Sequence, residues 1–143
     1  MSAEAEIALA IFETLKGLAK YIDEACRKWA NAEAIYSDLL DEVERCERYA
    51  YLIKSAIDVL SGKISGRELH AAARTLQKVR TKTVEFSMWA KTNMFTGNEE
   101  KSQRYQKKFR VAFGKKLEKI TAELTCLFGT LRSVDREVTM QLQ

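Results

Sequence analysis

The sequence predicts an all-α protein, a bundle of four long helices, and three observations point there. The 143 residues contain no proline and only six glycines, a composition that suits long helices and starves a sandwich or barrel of turn residues. Apolar residues recur at alternating spacings of three and four over long runs, which places them on one helical stripe. Hydrophobic residues make up 46% and charged residues 31%, the balance of a chain that folds around a core rather than one that stays disordered. The length suits one domain with a core of ordinary size.

The first helix is expected from near Ala3 to about Lys28, with Glu4 and Glu6 in its first turn, where the helix dipole favours negative charge. Its stripe is Ile7, Ile11, Leu15, Leu18, Ile22, Ala25 and Trp29, widened by Leu9, Phe12 and Tyr21. From Ile7 to Leu18 it is more apolar than a bundle requires. Either this helix is buried between neighbours, or it can leave the bundle and enter a bilayer interface. On either reading Leu9 and Phe12 lie off the core stripe, so they belong nearer a groove or the surface. Trp29-Ala30-Asn31 supplies the break.

The second helix, Ala32 to Leu60, is the spine. Ala32, Ile35, Leu39, Val43, Cys46, Ala50, Ile53, Ile57 and Leu60 form its stripe, and at about 1.5 Å per residue it is roughly 40 Å long. A helix of that length needs partners of similar length, which is the geometry of a bundle. It ends at Ser61–Gly66, with Gly62 expected as the C-terminal cap and Ser65 and Glu68 at capping-box spacing. The third helix follows from Arg67 to about Thr92, burying Leu69, Ala72, Leu76, Val79, Thr83, Phe86 and Ala90. The connection around Asn93–Asn98 carries Met94 and Phe95, expected exposed or half-buried. They either cap the bundle end or form an apolar tip that meets lipid or another protein. The last helix runs from about Glu99 to Ser133 or beyond. It buries Tyr105, Phe109, Ala112, Phe113, Leu117, Ile120, Leu124, Leu127, Phe128, Leu131 and Val134, and helical spacing continues through Val138 and Leu142.

Charge is unevenly placed. The net charge is +4, yet up to Leu60 twelve acids face seven bases, a balance of −5, so the remainder carries +9. Some of this asymmetry lets the two halves attract each other. The excess in the second half invites an anionic partner. Its candidates are Arg74, Lys78 and Lys82 on the third helix, and Lys101, Arg104, Lys107, Lys108, Lys115 and Lys116 on the fourth. Such a run is either a solvated face or an anion-binding surface.

Chemistry is hard to place on this chain. There is no P-loop, no Gly-rich phosphate cradle, no Cys/His metal spacing and no Ser/His/Asp set. His70 is the single histidine and is expected at the surface. Cys26, Cys46 and Cys126 are odd in number, far apart and on or near apolar stripes, so they are expected as buried thiols in a reducing compartment. No enzyme, cofactor or metal is expected. The start lacks the basic region and cleavage site of a secretory signal, and no apolar run approaches the roughly 20 residues of a spanning helix.

Four long helices with an unusually apolar opening resemble the helical cell-death domains of the HeLo superfamily. This superfamily takes in fungal HeLo and HeLo-like domains, the bundles of mixed-lineage-kinase-domain-like pseudokinases, and the N-terminal domains of plant helper immune receptors. The likeness is best at Tyr51-Leu52-Ile53-Lys54-Ser55-Ala56-Ile57-Asp58-Val59-Leu60. It continues through Leu69–Phe86 and the start of the fourth helix at Tyr105, Phe109, Phe113 and Leu117, and the opening Ile7–Leu18 looks most like a fungal HeLo-like domain. The resemblance implies an N-terminal effector of a longer protein, held by a downstream regulatory or amyloid-forming domain that later clusters it. It further implies a self-oligomer that is cytoplasmic at rest and permeabilises the plasma membrane when activated. On that reading Ile7, Leu9, Ile11, Phe12, Leu15 and Leu18 enter the membrane, and the basic residues named above bind anionic lipid. The alternative is a soluble adaptor that holds a partner helix in a groove. Nucleic acid is not an expected partner, because few exposed aromatics accompany the basic run and no binding module is recognisable.

Overall fold

The computed structural model describes residues 2–28, 32–63, 66–94 and 103–142. It contains four helices, α1 (Ala3–Lys28), α2 (Ala32–Leu60), α3 (Gly66–Asn93) and α4 (Gln103–Leu142), with no strand among the described residues. The expected break at Trp29–Asn31, the Ser65 cap, Phe95 and Lys101 lie outside those residues.

Helix directions follow from chain length. A helix of 29 residues is about 43 Å long, and the five residues between α2 and α3 span at most about 18 Å, so α3, to pack in the same bundle, has to run back alongside. Ring pairs give the same directions. Phe12 on α1 meets Tyr51 near the far end of α2 at 5.4 Å, so those helices are antiparallel. Tyr36 and Phe109, both early in their helices, meet at 6.1 Å, so α2 and α4 are parallel. Late Phe86 on α3 meets early Phe113 on α4 at 4.9 Å. Around the bundle the order is α1–α2–α4–α3, with α1 and α4 on one diagonal, and the α3–α4 interface is the sparsest of the four.

Capping explains the helix ends. Ser2 Oγ accepts a hydrogen bond from the Ala5 amide at 3.1 Å, and the Ser2 carbonyl accepts one from Glu6. Ser2 is therefore the N-cap, worth about 1 kcal/mol. At the other end of the spine, Ser61 donates to the Ile57 carbonyl and Lys63 to that of Leu60. Gly62 sits in this turn without the left-handed backbone of a glycine cap. The orphan carbonyls are closed by ordinary helical and tighter-turn bonds instead.

The core matches the stripes in all but a few places. Ile7, Ile11, Leu15, Leu18 and Ile22 are buried, as are the α3 residues from Leu69 to Ala90 on the expected stripe. On α2, Tyr36 rather than Ile35 is fully buried. That helix packs against α1 and α4 together, and its buried arc centres between them, which leaves Ile35 on the edge of the α2–α4 groove. Tyr36, Phe86, Trp89, Phe109 and Phe113 form an aromatic cluster at this end of the bundle. Met94, expected at least half-exposed, is buried. The Met94 amide still donates to the Ala90 carbonyl at 3.0 Å, so the helical path turns its side chain back onto the core. Of the three thiols only Cys46 is buried, with Cys26 intermediate and Cys126 exposed. Cys126 lies on the outer side of α4, off the stripe that passes through Leu124 and Leu127. His70 is exposed.

Candidate anionic-surface interface

The basic candidates are carried by two helices. Arg74, Lys78 and Lys82 on α3 and Arg104, Lys107, Lys108, Lys115 and Lys116 on α4 are all exposed. At 100° per residue Arg104, Lys108, Lys115 and Lys119 fall within about 60° of one another, on the side of α4 opposite Phe113, Ile120 and Leu124. This outward stripe is the most uniformly basic feature of the fold. Lys119 belongs to it although it was not among the expected binding residues. The signal was its spacing of four from Lys115, obscured by counting the run by density rather than by face.

The other candidates, with Lys115 and Lys119 at the edges of the stripe, divide between two grooves. Lys78 and Lys82 point along the α3–α4 side, where Lys116, Lys119 and Trp89 line a depression with Glu85. Two of these cations are partly committed. Lys82 donates to Glu123 Oε1 at 2.6 Å, and Lys116 Nζ stands 5.0 Å from the Trp89 ring centre. Lys107 and Lys115 instead border the α2–α4 side, among Asp38, Glu42 and Glu118. Arg110 reaches Asp38 there at 3.5 Å. With Arg45 also on the α2–α4 side, its acids offset most but not all of the charge there, while the outer α4 stripe and the α3–α4 side keep a larger positive excess.

The expected membrane-entering residues are also divided. Ile11, Leu15 and Leu18 are 0% exposed and Ile7 8%, so in this state they are core. Leu9 and Phe12 are half-buried, on the rim as their off-stripe positions require. Phe12 packs against Tyr51, and the Lys16 ammonium lies 5.8 Å from its ring centre. No helix among the described residues is long and apolar enough to cross a membrane.

Burial pushes the Cys46 thiol up to about 11, against a smaller lowering by its hydrogen bond with Thr121. Burial, then the nearby Asp23 and Glu33 carboxylates, raise Cys26. Glu47 is raised by burial and by Glu44. No three His, Cys, Asp or Glu side chains among the described residues come together as a metal would need.

The fold and surface together define a class, an all-α four-helix bundle with a basic outer face. No protein-family model, curated protein or solved structure matches the chain.

Proposed function

We propose that this bundle is a membrane-targeting, cell-death-inducing domain, which binds anionic lipid through α3 and α4 and breaches the bilayer with α1 after it oligomerises. The observation that supports it most is the exposed stripe Arg104, Lys108, Lys115 and Lys119, which meets no carboxylate partner among the described residues. Each Lys or Arg close to an anionic bilayer contributes about 1 kcal/mol. Four of them give one copy a weak, salt-sensitive attraction, and several copies in an oligomer multiply it through effective concentration.

The first helix then has two competing environments. Withdrawing Ile7, Ile11, Leu15, Leu18 and Ile22 from the core into water costs roughly 2 kcal/mol for each side chain. Entering the bilayer interface offsets most of that cost, because lipid accepts the same apolar surface. Leu9 and Phe12, already on the rim, are where that exchange begins.

The test is sedimentation with phosphatidylserine-containing vesicles at physiological salt. Reversing Arg104, Lys108, Lys115 and Lys119 to Glu is expected to abolish binding while circular dichroism stays unchanged. Binding that survives these reversals refutes the electrostatic attachment.

A further inference from the structure

Beside the basic stripe the second half of α4 changes character. On its side facing α3, the wall positions after Glu123 are Cys126 and Thr130, small and uncharged. They leave space against the first half of α3, on the α3–α4 side, which is the sparsest of the four interfaces. The result is an open groove of about 460 Å³. Its floor is apolar, made by Leu69, Ala72, Leu127 and Leu131, each slightly exposed at 4–7%. Small residues, Ala71 and Thr75 on one wall and Cys126 and Thr130 on the other, keep both walls low. From Leu69 to Lys78 and from Glu123 to Val134 the walls run about 15 Å, three turns of helix.

We infer that this groove docks an acidic amphipathic helix from another protein, with apolar anchors on the floor and carboxylates toward α3. The length fits a set of anchors at i, i+3 or i+4, and i+7, which spans about 10 Å. The low walls let a helix backbone come close, as small residues do wherever helices pack tightly. Charge selects the partner. Glu123, the acid on the groove wall, is held by Lys82 at 2.6 Å, whereas Lys78 on the wall and Arg74 one turn before it make no ion pair among the described residues. The available charge at this mouth is positive, so a helix bearing Glu or Asp on its flanks is favoured over a neutral or basic one. A second copy of this chain is a poor occupant. The outward face of α1 mixes Glu13 and Glu24 with Lys16 and Lys20, and the apolar residues exposed on α2, Leu52 and Val59, share their face with Arg45 and Arg48, the nearest charges on it within α2.

Cys126 gives a direct readout, being the exposed thiol and part of the groove wall. The probe is a fourteen-residue Ala-based peptide, stapled to hold it helical, with Leu at i, i+3, i+7 and i+10 and Glu at four flanking positions. Its controls are the same peptide with Lys for Glu, and phosphatidylserine vesicles. The acidic peptide is expected to slow iodoacetamide alkylation of Cys126 at saturation, leave Cys26 unaffected, and bind with a fluorescence-anisotropy Kd at least tenfold below that of the Lys peptide. Lys78→Glu is expected to weaken it about tenfold. Ala71→Glu, at an exposed position, is expected to do likewise with unchanged helicity. Equal binding of the acidic and basic peptides, or no protection of Cys126 by either, overturns the proposal. Protection by vesicles without protection by the acidic peptide assigns the groove to lipid and overturns it too.

Discussion

Leu15→Ala and Leu9→Glu, six residues apart on α1, should separate what that helix does for the fold from what it does to a membrane. Leu15 is 0% exposed, and truncating a leucine so placed costs about 3–4 kcal/mol, through lost transfer energy and the cavity left behind. For a domain of this size each kcal/mol lowers the melting temperature by about 4 °C, so Leu15→Ala is expected to melt about 12–16 °C lower. Leu9 is half-buried and off the stripe. Its carboxylate replacement can stay in water, so the expected cost is under about 1 kcal/mol. In a bilayer the ranking reverses. An acidic side chain at membrane depth costs on the order of 3 kcal/mol for each helix that enters, whereas alanine is tolerated. Thermal and urea unfolding followed by circular dichroism measure the first effect, and dye leakage from anionic vesicles with clustering forced measures the second. The expected outcome is a nearly normal melt with lost leakage for Leu9→Glu, and a low melt with leakage retained for Leu15→Ala. Two results would refute the reasoning. If Leu9→Glu destabilises as much as Leu15→Ala, Leu9 is core rather than rim. If Leu9→Glu leaks at full strength, the breaching segment is not α1.

Glu123→Gln removes the carboxylate that holds Lys82. Both groups are at least a third exposed, so stability should move by less than about 1 kcal/mol, while the freed ammonium should tighten binding to anionic vesicles up to about fivefold. A drop in vesicle affinity would count against the α3–α4 side as the binding face. Cys46 makes a prediction about alkaline stability. Its folded pKa of about 11 lies above the ordinary 9.0, so its contribution is complete below pH 9 and is lost as pH rises toward 11. At about 1.4 kcal/mol for each pKa unit the loss approaches about 3 kcal/mol. Urea midpoints across that pH range should fall more steeply for the wild type than for Cys46→Ala, and parallel slopes would show that Cys46 is not the titrating group.

The helices were legible because three-and-four spacing is a property of the chain alone. Ala3–Lys28 and Ala32–Leu60 could be delimited from apolar periodicity. The misreadings have a common cause, which is that a stripe tells which side of a helix is buried but not how wide the buried arc is. That width depends on neighbours. Tyr36 is covered because α2 touches both α1 and α4, and Cys126 is bare because it lies on the outer side of α4, beyond the arc its neighbours cover. Met94 shows the same dependence at a helix end. Its burial follows from one backbone bond to Ala90, which a loop reading of Asn93–Asn98 could not anticipate. The basic site was half legible. Its residues were visible as a run, but the division between an outward stripe and two grooves needed the partners in place.

The charge asymmetry deserves a different explanation from mutual attraction of the two halves. Among the described residues one ion pair joins them, Arg110 to Asp38 at 3.5 Å, with side chains 44% and 77% exposed. A pair so open contributes between nothing and about 1 kcal/mol. Lys63–Asp135 and Lys82–Glu123 lie within the second half, and Arg27–Asp23 and Lys54–Asp58 within the first. Cohesion therefore comes from the apolar core, continuous from Ala5 to Leu131, and the positive excess does almost nothing for it. Carried by α3 and α4 together, that excess repels itself and opposes the compact state. On the function proposed above, that cost is offset when something anionic covers the surface. The outward α4 stripe, four cations spread over about four turns of helix, suits a flat anionic layer. The groove beside it, narrow and floored with leucine, suits an acidic helix.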